Sequence, residues 1–143
     1  MDLGETNKGN AFSVTVESYS KFLDVQCLKP ASAHSVVEYL QQLLRHLGPP
    51  EITVTDNGRQ LVSTEFASLC DKIVHLRCAP RMPQSNGQAE KMAHLIKTST
   101  EQDALSLDRA VMAYNYISNS TDDGKTLSEL FFERKTKTLF DVY

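Results

Sequence analysis

Alternation of apolar and polar residues near the start of the chain predicts a β-hairpin. The stretch AFSVTVE (11–17) alternates as a half-buried strand does, and FLDVQCL (22–28) is a second run of strand-forming residues. The polar segment SYSK between them is short enough to form a turn. The pattern therefore predicts two antiparallel strands, with Phe12, Val14 and Val25 facing a core.

Helical spacing replaces the alternation in the next segment. Apolar residues recur there every three or four positions, at Val36, Val37, Leu40, Leu43, Leu44 and Leu47. Ser32 is a suitable N-cap, and Gly48 stands where helices commonly end. The two prolines that follow Gly48 cannot continue a helix. We predict one amphipathic helix between Ser32 and Gly48.

Shorter segments complete an α/β order. EITVT (51–55) predicts a strand that ends at the turn sequence DNG, with Ile52 in the core. The later predicted elements are a helix over 63–72, a strand over 74–78 with Leu76 in the core, a loop over 79–88, a helix over 89–97, a helix marked by Leu107, Val111, Tyr114 and Ile117, and a short helix at LSELFFER. Strands that alternate with helices after a hairpin indicate an α/β domain with a mixed sheet.

The composition is ordinary for one globular domain. At 143 residues the chain can bury a single core, and 23% of its residues are charged. No apolar run approaches the ~20 residues that cross a bilayer, and the polar, acidic start does not resemble a signal or transit peptide. We expect no membrane partner and an intracellular location, nuclear or cytoplasmic. Three cysteines without a CxxC pair favour reduced thiols, and no zinc-finger spacing is present.

The charge distribution is uneven. A net charge of −3 and a pI near 5.8 argue against a strong, general nucleic-acid binder. The segment 71–97, however, has five basic residues (Lys72, Arg77, Arg81, Lys91 and Lys97) against two acidic ones (Asp71 and Glu90), an excess of three positive charges. Such a local excess is more often a solvated surface than a binding site when it stands alone.

Three acidic residues also have ordinary explanations when each is taken alone. Asp56 begins the turn sequence DNG, where its side chain can accept local backbone N–H groups. Glu90 lies in the first turn of a predicted helix, where the helix dipole favours a carboxylate. Asp2 lies where chains are commonly frayed. None of the three is evidence for a functional site by itself.

Taken together and in order, these stretches resemble a known family. TDNG, followed by a helix, a strand and PQSNGQAEKM, resembles the catalytic core of retroviral and gypsy-type retrotransposon integrases. VESYSKFLDV resembles the hairpin of that family, and AYN with DDGKTLSELFFER resembles its C-terminal end. The resemblance implies an α/β, ribonuclease-H-like fold, with a mixed five-stranded sheet flanked by helices. It also implies a single catalytic-core domain over 1–143, whose first strand is truncated at the N-terminus.

The family has a metal-binding triad of two aspartates and a glutamate. By resemblance, Asp56 and Glu90 match its second and third members. Glu17 lies where gypsy-type sequences usually have an acid that is not a ligand, whereas Asp2, in the context DLG, matches the ligand on the first strand. The resemblance thus implies Asp2, Asp56 and Glu90 as catalytic residues that bind two Mg²⁺ (or Mn²⁺) ions. Carboxylates suit such hard cations, and two ions can stabilise both oxygens of a phosphodiester displacement.

The expected partner is DNA. By resemblance, the loop residues Gln84, Ser85, Asn86 and Gly87 would lie beside the scissile strand, and Lys91 and Lys97 would contact phosphates. Such contacts should make binding depend on salt concentration. A homodimer is the family's habit, and no small-molecule substrate is expected.

Several departures from the family pattern leave two functions open. The 33 residues between Asp56 and Glu90 are fewer than usual, and the segment after Lys97 is shorter and more acidic than usual. Arg81 and Met82 stand where an aromatic residue and a histidine are typical. One hypothesis is an integrase core that integrates DNA by Mg²⁺-dependent cleavage and strand transfer. The alternative is a domesticated, inactive DNA-binding or dimerisation module derived from a retrotransposon integrase.

Overall fold

The computed structural model describes residues 1–5, 9–78, 87–99, 104–117 and 124–137. Within these ranges the chain forms five strands and five helices. In chain order they are β1 (Asp2–Glu5), β2 (Ala11–Val16), β3 (Leu23–Leu28), α1 (Ala33–Leu47), β4 (Ile52–Thr55), α2 (Thr64–Leu69), β5 (Val74–Arg77), α3 (Gly87–Ser99), α4 (Ala104–Tyr116) and α5 (Leu127–Phe132). The predicted hairpin and the α/β order that follows it are confirmed.

The five strands are divided between two sheets. β1, β2 and β3 are neighbours in an antiparallel sheet, and β4 and β5 form a parallel pair. The backbone nitrogen of Met1 donates a hydrogen bond to the carbonyl oxygen of Val54, at 2.7 Å, and so joins the start of β1 to β4. The five strands of the predicted mixed sheet are therefore present, but their hydrogen bonding is not continuous across the domain.

Helix α1 has the boundaries that its sequence predicts. The hydroxyl of Ser32 accepts a hydrogen bond from the backbone nitrogen of Ser35 at 3.1 Å, as an N-cap does. At the other end Gly48 has φ +83°, a conformation that favours glycine, and its N–H donates to Leu44. Within these ranges no helix is long and apolar enough to cross a bilayer.

Two clusters of buried side chains form the core. The first joins α1 and α2 to the ends of β1 and β3 and contains Val36, Leu40, Leu61 and Phe66. The second joins β2 to α3 and α4; its buried members are Phe12, Val14, Leu23, Met92, Ala93, Ile96 and Leu107. Helices therefore cover the antiparallel sheet closely, which fixes the position of β1.

The prediction that Ile52 and Leu76 belong to the core is wrong. Ile52 is 54% exposed, Leu76 is 49% exposed, and Val74, which pairs with Ile52 across β4 and β5, is 56% exposed. Helix α3 packs on β1 and β2, and α4 packs on β3. The apolar side chains of β4 and β5 identify them as strands, but these helices cover other strands.

A buried asparagine fastens α4 to β3. The Asn115 side chain accepts a hydrogen bond from the backbone nitrogen of Leu23 at 2.9 Å and donates one to the carbonyl oxygen of Leu23 at 2.7 Å. Both residues are buried, so these groups are shielded from water. The AYN motif thus has a structural explanation, because its asparagine satisfies the backbone of β3.

Replacing Asn115 by leucine is expected to lower the free energy of unfolding by about 2 to 4 kcal/mol. Leucine has a similar size, but it leaves the N–H and C=O groups of Leu23 without these partners in a buried position. Urea unfolding of the variant measures the loss. Gln42→Leu, an exposed substitution on α1, is the control and should change the free energy of unfolding by less than about 0.5 kcal/mol. Equal effects of the two substitutions would contradict this account of Asn115.

Candidate active site

Asp2 is a buried carboxylic acid on a covered strand. It is the first residue of β1, pairs with Val14 of β2, and is 8% exposed. The backbone nitrogen of Leu3 donates a hydrogen bond to Asp2 Oδ1 at 2.9 Å. Burying a carboxylate costs free energy unless partners stabilise its charge. An aspartate is uncommon at a buried position of a covered strand, which makes Asp2 a candidate for function.

Asp56 follows the last residue of β4 in a turn that is tied down on two sides. Its Oδ1 accepts a hydrogen bond from the backbone nitrogen of Gly58 at 2.9 Å. The side chain of Asn57 donates to the carbonyl oxygen of Cys78, just after β5, at 2.8 Å. A Cβ atom on Gly58 would lie 3.1 Å from Asp56 Oδ1 and 3.5 Å from Leu3 Cδ1, so the turn packs closely against β1.

The two aspartates interact directly. The pKa of Asp2 is raised to about 6: burial is the largest cause, the negative charge of Asp56 is the next, and a hydrogen bond between the two carboxyl groups adds to it. The hydrogen bond from Leu3 opposes the increase. Two carboxylates close enough to share a hydrogen bond repel each other when both are charged. Either a shared proton or a cation relieves the repulsion.

Glu90 lies near this pair without completing a ligand set. It is exposed in the first turn of α3, and its charge makes a small contribution to the raised pKa of Asp2. Among the residues that the structure describes, no three His, Cys, Asp or Glu side chains are grouped closely enough to hold a metal ion. The structure therefore brings Asp2 and Asp56 together, with Glu90 at a greater distance.

Glu17 has a structural role in the β2–β3 turn. Its carboxylate accepts hydrogen bonds from the backbone nitrogens of Tyr19, at 2.9 Å, and Ser20, at 2.6 Å, and from the Ser20 hydroxyl at 2.6 Å. Partial burial alone would raise the pKa of Glu17, but the hydrogen bonds from Ser20 and Tyr19 outweigh it and lower that pKa. Glu17 is thus committed to the turn, which supports Asp2 as the acid of the candidate site.

The residues predicted to contact DNA are only partly described. Gln84, Ser85 and Asn86 lie outside the described residues. Gly87 is the first residue of α3, and a Cβ atom there would meet nothing within 4 Å. Lys91 and Lys97 are exposed on α3, as contact with phosphates would require.

The family model of the integrase core domain matches residues 1–83, which is more than half of the chain and includes both aspartates of the site. The chain belongs to the integrase core domain family. The match contains β1, the hairpin and the Asp56 turn, so this family accounts for the part of the fold that carries the two acids.

The relatives of this integrase core chain are much longer proteins, and only a segment of each matches it. It is 29% identical over 138 residues to a Caenorhabditis elegans protein, Uncharacterized protein K02A2.6, which covers 90% of this chain and 11% of that protein. It is 31% identical over 87 residues to the Gag-Pro-Pol polyprotein of human T-cell leukemia virus 3 (strain 2026ND), covering 59% of this chain and 6% of the polyprotein. The chain thus spans about a tenth or less of these relatives.

Solved integrase structures share the fold. The catalytic core domain of BIV integrase has a TM-score of 0.75 and 24% identity, over 93% of this chain and 91% of that chain. The HTLV-2 integrase catalytic core domain, solved in complex with magnesium, has a TM-score of 0.71 and 21% identity, over 90% of each chain. The simian T-cell lymphotropic virus intasome has a TM-score of 0.77 and 22% identity, over 95% of this chain and 53% of that chain. The ribonuclease-H-like, α/β fold class predicted from the sequence is confirmed.

Two residues that position the site are not apparent from the sequence alone. Asn57 looks like an ordinary turn residue, yet it links the Asp56 turn to the end of β5. Thr55, which precedes Asp56, is fully buried, and its hydroxyl lies 2.8 Å from Nε2 of His75 on β5. The contacts of both residues join segments about twenty positions apart, so local pattern does not reveal them. The pairing of β4 with β5, if predicted, would have indicated that Thr55 and Asn57 lie close to β5.

The raised pKa of Asp2 predicts a specific dependence of stability on pH. The folded protein retains a proton on Asp2 between about pH 4 and 6 that the unfolded chain has lost, so stability should fall as pH rises through this range. The Asp2→Asn variant should not show this fall in stability. Its free energy of unfolding at pH 7.5 should exceed that of the wild type by about 1 to 2 kcal/mol, after allowance for solvent screening.

Urea unfolding of both proteins at pH 4.5 and 7.5 measures this difference. Glu17 acts in the opposite sense, because its lowered pKa gives stability that is lost as pH falls. Subtracting the Asp2→Asn profile from that of the wild type cancels the contribution of Glu17. A difference that does not change between the two pH values would contradict the assigned state of Asp2.

Proposed function

We propose that this integrase core chain catalyses the metal-dependent cleavage and transfer of DNA phosphodiester bonds. Asp2 and Asp56 are the residues that would bind the metal. The observation that carries the proposal is the contact between these two acids, one of which is buried with a pKa raised to about 6. A protein that keeps two carboxyl groups together at a cost in stability commonly uses them for binding or catalysis.

The donor set fits magnesium or manganese. Asp2 and Asp56 offer hard oxygen ligands, and a cation between them would relieve the repulsion that raises the pKa of Asp2. The HTLV-2 integrase core with the same fold was solved in complex with magnesium, which supports the choice of ion. Glu90, at the start of α3, is the proposed third ligand, for a site of two ions. Bound there, the ions would neutralise charge on the attacking and leaving oxygens of the phosphodiester.

The other residues have positioning roles in this proposal. Asn57 and Gly58 hold the Asp56 carboxylate at the end of β4 through the hydrogen bonds of the turn. Lys91 and Lys97 are exposed on the helix that carries Glu90, where they would attract DNA phosphates without reading sequence. Gln84, Ser85, Asn86 and Gly87 are proposed to lie beside the DNA strand. Homodimerisation and a nuclear or cytoplasmic location are parts of the same proposal.

A second candidate function has its own supporting observation. Glu90 is exposed, and the described residues contain no grouped set of three potential ligands. A chain of this kind fits the alternative of an inactive DNA-binding or dimerisation module derived from a retrotransposon integrase. Such a module would keep the fold and the lysines of α3 but would not turn over DNA.

A strand-transfer reversal assay distinguishes the two functions. The purified protein is incubated with a branched DNA substrate in Mg²⁺ or Mn²⁺, with a chelator in the parallel control, and the joined products are separated on a denaturing gel. We expect products in the presence of metal and none with the chelator. Folded protein that binds this DNA in a salt-dependent manner and yields no product with either metal would contradict catalysis and favour the second candidate.

A further inference from the structure

The covered face of the β4–β5 pair carries polar side chains. Thr53 pairs with His75 across the two strands, so both side chains share a face with Thr55. Thr55, the last residue of β4, is fully buried, whereas Ile52 and Val74 on the opposite face are more than half exposed. A buried hydroxyl group needs hydrogen-bond partners. The partners of Thr55 explain why polar residues occupy this face.

Thr55 links His75 to the backbone of Asp56. The Thr55 hydroxyl donates a hydrogen bond to the carbonyl oxygen of Asp56 at 3.0 Å, and its Oγ1 lies 2.8 Å from Nε2 of His75. A hydroxyl group has one proton to donate, and a backbone carbonyl can only accept. Because the Thr55 proton is directed at Asp56, the Nε2 atom of His75 must donate to Thr55. The three groups thus form a chain of hydrogen bonds from β5 to the end of β4.

The imidazole ring of His75 is held by its surroundings. Its centroid lies 5.1 Å from that of the Phe66 ring, and Phe66 is a fully buried residue of α2. Burial, which is the larger cause, and the positive charge of Arg77 lower the pKa of His75, so the ring is neutral at pH 7.5. A neutral ring has a single N–H group. The contact with Thr55 places that group on Nε2.

The chain of hydrogen bonds ends at one of the two acids of the candidate site. The N–H of Gly58 holds the Asp56 carboxylate, and the Thr55 hydroxyl holds the Asp56 carbonyl. The N–H of Cys78 donates to the carbonyl oxygen of Thr55 at 2.9 Å, so backbone bonds also tie this segment to β5. His75 adds a side-chain contact to these backbone bonds. Groups that stand behind a metal ligand fix its orientation and increase the affinity of the site.

We propose that His75 is a positioning residue of the carboxylate site, whose Nε2–H group donates to Thr55 and so keeps Asp56 oriented for binding metal. The inference rests on the proposed function, in which Asp56 binds Mg²⁺. Without the donor of His75, the buried Thr55 hydroxyl loses a partner and can turn away from the Asp56 carbonyl. Metal affinity should then fall while the turn persists, because Asn57 and Gly58 still hold it.

The first test observes the imidazole of His75 by NMR of its ring nitrogens at pH 7.5. We expect the proton on Nε2, with an N–H signal that is visible because exchange with water is slow. Thr55→Val, which has a similar shape but no hydroxyl, should lose that signal. His46, exposed near the end of α1, is the internal control and should show no such signal. A proton on Nδ1, or an Nε2–H signal that persists in Thr55→Val, would overturn the chain of hydrogen bonds.

The second test measures the Mg²⁺ affinity of two His75 variants, followed at the carboxyl carbon of Asp2 by NMR. His75→Leu removes the donor, whereas His75→Gln keeps an N–H group near the position of Nε2. We expect about tenfold weaker Mg²⁺ binding for His75→Leu and a change of less than about threefold for His75→Gln. His46→Leu is the matched control and should bind Mg²⁺ as the wild type does. Equal affinities of the Leu and Gln variants of His75 would overturn its positioning role.

The positioning role and the proposed catalysis fail in different ways. If the wild type binds Mg²⁺ but joins no DNA, the proposed catalysis is contradicted, and weaker binding by His75→Leu still supports the role of His75. If the wild type is active and His75→Leu binds Mg²⁺ equally well, the role of His75 is overturned and the proposed function stands.

Discussion

Asparagine in place of Asp56 is expected to abolish strand transfer, lowering its rate roughly a hundredfold or more. Asparagine keeps an Oδ1 atom that can accept the hydrogen bond from Gly58, so the turn and the fold should persist. It removes the negative charge that Asp56 places beside Asp2, and with it a carboxylate ligand for the metal. The loss should therefore concern chemistry and not folding. The rate of joining a branched DNA substrate, measured alongside the unfolding temperature, separates these two effects.

Asp71→Asn is the matched control for this substitution. Asp71 is exposed between α2 and β5, so the same loss of charge there should leave the rate within about twofold of the wild type. Asp2→Asn should match Asp56→Asn in its loss of activity while increasing stability at pH 7.5. An Asp56→Asn protein that is folded and as active as the wild type would rule out Asp56 as a catalytic residue.

Alanine in place of Gly4 is expected to destabilise the domain by about 3 kcal/mol. A Cβ atom on Gly4 would lie 2.3 Å from Cζ and 2.6 Å from Cε2 of the Phe12 ring, which is far closer than a van der Waals contact. Phe12 is 1% exposed and packs within the cluster that joins β2 to α3 and α4, so its ring has little room to move. The strain falls on β1, the strand that carries Asp2. Urea unfolding measures the destabilisation.

Gly87→Ala is the control for the glycine substitution. A Cβ atom on Gly87 would meet nothing within 4 Å, so this change should alter the free energy of unfolding by less than about 0.5 kcal/mol. If Gly4→Ala is as stable as Gly87→Ala, then Phe12 can rearrange freely and the close packing of β1 on β2 is not needed for stability.

The elements that the sequence predicts well are those whose signals are local. Helix α1 has its cap at Ser32 and its terminating glycine at Gly48, and the structure has both. Strand β1 is a contrary case, because DLGE has a single apolar residue and no readable alternation. Only the resemblance to a family predicts this strand, and its hydrogen-bonded register with β2 explains why such a short strand is stable.

Burial and the geometry of the site depend on distant contacts, which the sequence does not encode locally. Ile52 and Leu76 have the residue types of a core, but whether a helix covers them depends on where α3 packs. Asp2 and Asp56 have 53 residues between them, and their contact follows from the closeness of β1 to β4. The exposed position of Glu90 likewise follows from how α3 lies on β1 and β2, which motif order does not specify.

The most direct test of the carboxylate site is the pKa of Asp2, measured by NMR titration of its side-chain carboxyl carbon with and without Mg²⁺. The Asp2→Asn protein assigns the resonance. Without metal the pKa should be about 6, because burial and Asp56 favour the protonated form. A cation bound by both carboxylates favours the charged form, so Mg²⁺ should lower that pKa by at least about one unit. A pKa that is the same with and without Mg²⁺ would contradict the claim that Asp2 and Asp56 share a metal ion.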